Sequence, residues 1–111
     1  MKLNAVVTIA LMAATLGCGD QQLKASADHA GYTLTVTNED SQDWSNVRAV
    51  LNDKYRCPST DIKAGAPARI RMTTCTTAKG AAFDPQAEAA AKVLVTATQG
   101  GSDRSTVVKF E

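Results

Sequence analysis

From Gly31 onward the chain alternates. Tyr32, Leu34 and Val36 are interleaved with Thr33, Thr35 and Thr37. Successive side chains on a strand point to opposite faces, so this pattern buries one face and wets the other. It recurs along the chain. Val47, Ala49 and Leu51 oppose Arg48 and Val50, Ile70 and Met72 oppose Arg69 and Arg71, and Val93, Val95 and Ala97 oppose Leu94 and Thr96. Turn-forming clusters separate these runs: Asn38 to Asp43, Asn52 to Lys54, Ala64-Gly65, the Gly80 and Pro85 loop, and the Gly100 to Asp103 hairpin signal. Ala87 to Ala91 suits one helical turn but is too short to stand alone. The pattern predicts an all-β chain of six or seven short strands, arranged as a β-sandwich or small barrel. No internal repeat is visible.

Such a domain of about 80 residues buries too small a core to be secure without a staple. Only 5% of residues are aromatic, so Val, Leu, Ile and Ala carry the interior. Trp44 and Phe83 are expected in that core rather than on a ligand-stacking surface.

The N-terminus constrains the address. Lys2 precedes Ala5 to Leu16, an uncharged run of twelve residues. That is short of the ~20 residues a spanning helix needs and fits the core of a secretory signal. No second apolar run follows, so the remainder is expected to be soluble. Ala14 to Cys18 resembles a bacterial lipobox, with Thr15 where leucine is usual and Leu16 one place later. The resemblance implies a lipoprotein signal peptide at residues 1–17 and a diacylglyceryl-modified Cys18 as first mature residue, carrying palmitate-type chains. Two or more acyl chains make a stable anchor. Residues 18–30 are read as the lipidated cysteine and a polar tether, and residues 31–111 as the folded domain. His29, the single histidine, falls in the tether and is read as a solvated residue, not a metal ligand or general base. Loss of the signal leaves eleven basic and eleven acidic residues, so net charge supplies no attraction to anionic lipid. Gly19 follows Cys18 where an aspartate would suggest inner-membrane retention, which favours the outer membrane.

Lipidation of Cys18 leaves two thiols, and the compartment beyond the inner membrane is oxidising. Cys57 and Cys75 are therefore expected to form a disulfide. A redox pair or metal site is the alternative, although redox pairs usually stand as C-x-x-C.

Thr37, Asn38, Trp44, Asn46, Val47, Leu51, Asn52, Tyr55, Ala64, Gly65, Gly80, Phe83 and Pro85 form a pattern that resembles a group of small bacterial extracytoplasmic domains. The resemblance implies an immunoglobulin-like or fibronectin-like sandwich in a membrane-anchored or secreted protein. It brings no catalytic residues. The chain departs from it at Cys75, where an aromatic residue is usual.

Other candidate sites resolve into ordinary roles. Arg48, Arg69 and Arg71 could share one outer face and bind an anionic glycan or lipid, but exposed cations also keep sheets soluble. Glu39, Asp40 and Asp43 lack the spacing of a Ca²⁺ loop. Asp61 and Asp84 are two carboxylates without a cleft, which do not make a glycosidase, and no nucleophile, phosphate-loop or metal motif is present. The chain is not basic enough to suggest nucleic acid, and no cofactor is expected. The expectation is a lipid-anchored, non-enzymatic binding or scaffolding module of the bacterial envelope, facing the periplasm or cell surface, with a protein partner. The alternative is an inhibitor or immunity-type lipoprotein that blocks a hydrolase or toxin through the Glu39–Asp43 or Thr76–Ala82 loop.

Overall fold

The computed structural model describes residues 22–110. Among the described residues eight strands run in chain order: β1 (Ala25–Ala30), β2 (Thr33–Asn38), β3 (Trp44–Leu51), β4 (Tyr55–Arg56), β5 (Thr60–Ile62), β6 (Pro67–Arg71), β7 (Lys92–Gln99) and β8 (Ser102–Lys109). A single 3₁₀ turn, Met72–Thr74, follows β6. The count exceeds the expected six or seven because Ala25–Ala30, read as tether, is a strand.

The strands form two antiparallel sheets. The first has the order β1-β2-β6. The second has the order β4-β3-β7-β8, with β5 beside the first half of β3. Leu34 and Val36 from the first sheet meet Val47, Ala49, Leu51, Val93, Val95 and Ala97 from the second in one buried core. Trp44 and Phe83 are fully buried within it, as the low aromatic content requires.

Turn chemistry sets the connections. Gly100 and Gly101 both have positive φ, as a type I′ hairpin between β7 and β8 demands. Asn52 and Asp53 take the same left-handed region between β3 and β4.

Two expected boundaries move. Ala25–Ala30 is not tether but a strand paired to β2 along its whole length. Its inward positions carry Ala25, Ala27 and His29, and Leu23 just before it is buried. His29 therefore belongs to the sandwich, with its ring edge-on to Phe110 at 4.6 Å between centroids. Tyr32 does not continue the inward row of Leu34 and Val36. It sits in the β1–β2 turn, 43% exposed, and its hydroxyl accepts a hydrogen bond from Gln86 Nε2 at 2.8 Å.

Where the chain crosses between sheets, Asn38 is wholly buried. Its Nδ2 donates to the carbonyls of Gln42 and Ile62 at 2.9 and 3.0 Å, and its Oδ1 accepts from the Asp40 amide at 2.8 Å. Its backbone exchanges bonds with Ala66 and Gly65. The side chain thus ties the end of β2 to β5, and the backbone ties it to the turn before β6.

At the opposite edge, Cys57 and Cys75 are joined by a disulfide with a Cα–Cα distance of 4.0 Å. Arg56 and Thr76 exchange both backbone hydrogen bonds beside it. The cysteines therefore face each other at a non-hydrogen-bonded position, where antiparallel chains come closest. The bond links the chain after β4 in the second sheet to the chain after β6 in the first.

Replacing Cys57 and Cys75 together by serine should cost about 2–5 kcal/mol, the usual loss for a native disulfide in a small domain, measured by urea unfolding. Asn38→Ala should cost about 3 kcal/mol in the same experiment, because buried carbonyls and an amide lose their partner.

Candidate functional site

The carboxylates are taken up by the fold itself. Asp40 Oδ2 accepts from Trp44 Nε1 at 3.0 Å, from Gln99 Nε2 at 2.8 Å and from the Lys24 amide at 3.3 Å. Asp43 Oδ1 accepts from the Ala64 amide and Asp61 Oδ1 from the Asn46 amide, each at 2.9 Å. Asn46 has a φ of 50° at a bulge in β3, and Asp61 holds that bulge. Asp84 caps the single turn that follows it, bonding the Gln86 amide at 3.0 Å. These acids satisfy backbone donors and the Trp44 indole. Among the described residues, no three His, Cys, Asp or Glu side chains converge as metal ligands.

Glu88, which the sequence did not single out, has three partners of its own. Oε1 accepts from Tyr55 Oη at 2.7 Å and Oε2 from Asn52 Nδ2 at 3.0 Å, with Lys54 Nζ at 3.7 Å. Asn52 also receives the amides of Ala91 and Lys92 and donates to the Ala89 carbonyl. Tyr55 packs edge-on to Phe83 at 5.0 Å. The Tyr55 hydrogen bond, followed by that of Asn52, holds the Glu88 carboxyl below its ordinary value. The same bond raises the Tyr55 hydroxyl above its own. A general base or acid working near neutrality needs the opposite shift in its carboxyl and a free oxygen. The cluster is a clasp closing the long β6–β7 connection onto β3.

The arginines separate. Arg69 and Arg71 lie on β6 in the first sheet, and Arg48 on β3 in the second. They do not share a face. On the first sheet Arg69 stands across Thr35 from Asp28, so the row carries both signs.

The second sheet is different. Its outward row Arg56, Val50, Leu94, Val107 crosses four strands, and the next row is Arg48, Thr96, Ser105. Val107 is 52% exposed. Lys92 and Lys109 form the row on the other side, and Lys92 is paired with Asp53 at 2.8 Å. An open groove of about 590 Å³ runs past Arg48 between Asn46, Thr96, Thr98, Asp103 and Ser105, and a second lies on the other flank of Arg48 beside Val50 and Arg56. Among the described residues, Arg48, Arg56 and Lys109 have no ion-pair partner. This face offers cations, hydroxyls and a central apolar strip, which suits a broad anionic surface better than an enclosed small molecule.

The sequence identified Arg48 but not its neighbours. Lys109, Val107 and Arg56 join it only through pairings that no local pattern reveals. Cys18 lies outside the described residues. The chain matches no protein-family model, curated protein or solved structure in these comparisons.

Glu88 couples the stability of the fold to pH. Its carboxyl holds a proton less tightly in the folded than in the unfolded chain. The stability it contributes is therefore present above its ordinary value of 4.5 and is lost as pH falls through the lowered folded value. The urea midpoint should fall over that range, and Glu88→Gln should flatten the fall. An unchanged acid slope in Glu88→Gln would assign the effect elsewhere.

Proposed function

We propose that the chain is a lipid-anchored, non-enzymatic binding or scaffolding module of the bacterial envelope. The observation that carries this reading is the buried Cys57–Cys75 disulfide. Such bonds belong to oxidising compartments, and this one consumes two of three cysteines. The third, Cys18, follows an uncharged run of signal-peptide length with only Gly17 between. The carboxylates used internally by the fold support a binding role over a hydrolytic one.

Strand order supports an immunoglobulin-like origin. The strands β1, β2 and β6 share one sheet and β3, β7 and β8 the other, as do strands A, B, E and C, F, G of immunoglobulin domains. The disulfide departs from that plan, since it closes an edge instead of bridging the middle of the two sheets.

One observation favours the inhibitor reading as a second possibility. Thr76 and Ala82 pair across a small loop closed by Thr77–Ala81 and Gly80–Thr77 backbone bonds. Cys75 and the buried Phe83 fix its base, and Lys79 stands exposed near its tip. A rigid projecting loop of this kind suits insertion into a cleft. Crosslinking separates the two readings: an inhibited hydrolase should crosslink from Lys79, a scaffold partner from the sheet faces.

The address is tested by Cys18→Ser. The variant should leave the membrane fraction as a soluble chain or accumulate unprocessed, and the wild-type mature N-terminus should carry diacylglyceryl mass on Cys18. Unchanged fractionation with an unmodified wild-type cysteine would overturn the anchor.

A further inference from the structure

The geometry points to the outer face of the second sheet as a surface that lies on anionic lipid headgroups. This rests on the lipid-anchor reading of Cys18. Gln22 forms a parallel bridge to Ser105, the Leu23 amide donates to the Ser105 carbonyl at 3.2 Å, and the Leu23 side chain is buried. The domain thus begins at the free edge of β8, not after a twelve-residue tether. Four residues lead from Cys18 to Gln22. At about 3.3–3.6 Å each they reach at most about 14 Å. Gln22, Ser105, Thr96 and Arg48 form one row across the sheet. With strands about 4.8 Å apart, Arg48 lies about 14 Å from Gln22 along that row. The edge of this face is thus held within about 14 Å of the anchored cysteine, close enough for the face to settle on the bilayer surface. The face itself is complementary to it: Arg48, Arg56 and Lys109 carry positive charge without ion-pair partners among the described residues, and the exposed Val107 stands between them. Its acids are Asp53, paired with Lys92, and Asp103, which accepts from the Thr98 hydroxyl at 2.9 Å and keeps its charge, so the four cations Arg48, Arg56, Lys92 and Lys109 stand against two anions. The near-zero net charge of the mature chain conceals this segregation.

The test uses the mature protein purified from envelopes in detergent and reconstituted into vesicles of phosphatidylcholine alone or with phosphatidylglycerol. Flotation with the neutral vesicles reads the anchor. Amine acetylation, resolved by mass spectrometry, reads the face, with Lys79 on the opposite edge as internal reference. At low ionic strength Lys109 should react at least about threefold more slowly on anionic than on neutral vesicles, Lys79 should not change, and about 0.5 M salt should abolish the difference. The exposed double substitution Arg48→Glu with Arg56→Glu should abolish it too, with its melting temperature checked alongside. Failure to float with neutral vesicles overturns the anchor and the orientation derived from it. Flotation with equal Lys109 rates on both vesicles overturns the face alone. Protection of Lys109 that follows protein density and not lipid charge shows a second copy on the face, and likewise overturns the proposal.

Discussion

The fold depends on a buried amide at the point where the chain leaves one sheet for the other. Asn38 ends β2, and the next strand belongs to the opposite sheet. A crossing of that kind strands backbone groups inside the protein, and each buried group without a partner is costly. Asn38 answers with both ends of its side chain, donating to Gln42 and Ile62 and accepting from Asp40. Only a side chain with donors and an acceptor can do all three. Leucine would fill the space and leave the carbonyls unpaired. Aspartate would set an oxygen against them. Asp40 then continues the chain of dependence by fixing the Trp44 indole, which is the largest side chain in the core.

The disulfide makes the complementary closure at the far edge. Asn38 acts through geometry within the folded state, whereas the covalent bond restricts the unfolded chain over a separation of 18 residues. Between them lies β5, tied at Ile62 to Asn38 and reached from Cys57 through only a few residues. The shortest strands of the domain, β4 and β5, are thus held by neighbours that do not rely on strand length. The clasp of Asn52, Tyr55 and Glu88 extends the same arrangement to the β6–β7 connection. Few large apolar side chains are available, and specific polar and covalent links take up positions that bulky residues fill in aromatic-rich sandwiches.

Strong alternation of large apolar residues was legible from the start. Leu34 and Val36, Val47 to Leu51, and Val93 to Ala97 face the core as their spacing predicts. So was the disulfide. The first strand was not, because its inward positions hold two alanines and a histidine, which give a period of two but little hydrophobic contrast. Tyr32 misled in the opposite way: it carries the right polarity at the right spacing, but the Gly31 turn precedes β2 and leaves it outside the pleat. Asn38, Asp40 and Asn52 looked like ordinary turn residues. Their chemistry at turns and their role as buried or bridging acceptors are the same chemistry, and only tertiary contacts separate the two.

Charge shows the same limit. A sequence gives the balance of cations and anions but not their distribution, which is decided by which strands become neighbours. Arg48 and Arg69 have similar surroundings in sequence, each flanked by apolar residues within an alternating run. Pairing places Asp28 two strands from Arg69, with Thr35 between, and the first sheet's outer face is mixed. Pairing places Thr96 and Ser105 beside Arg48, and on the second sheet's face Arg48, Arg56, Lys92 and Lys109 outnumber Asp53 and Asp103. Whether a near-neutral domain has an electrostatically directed surface is therefore a property of topology. Here the topology also brings the N-terminal segment to that same sheet, so one arrangement of strands sets both the charged face and its distance from the proposed anchor.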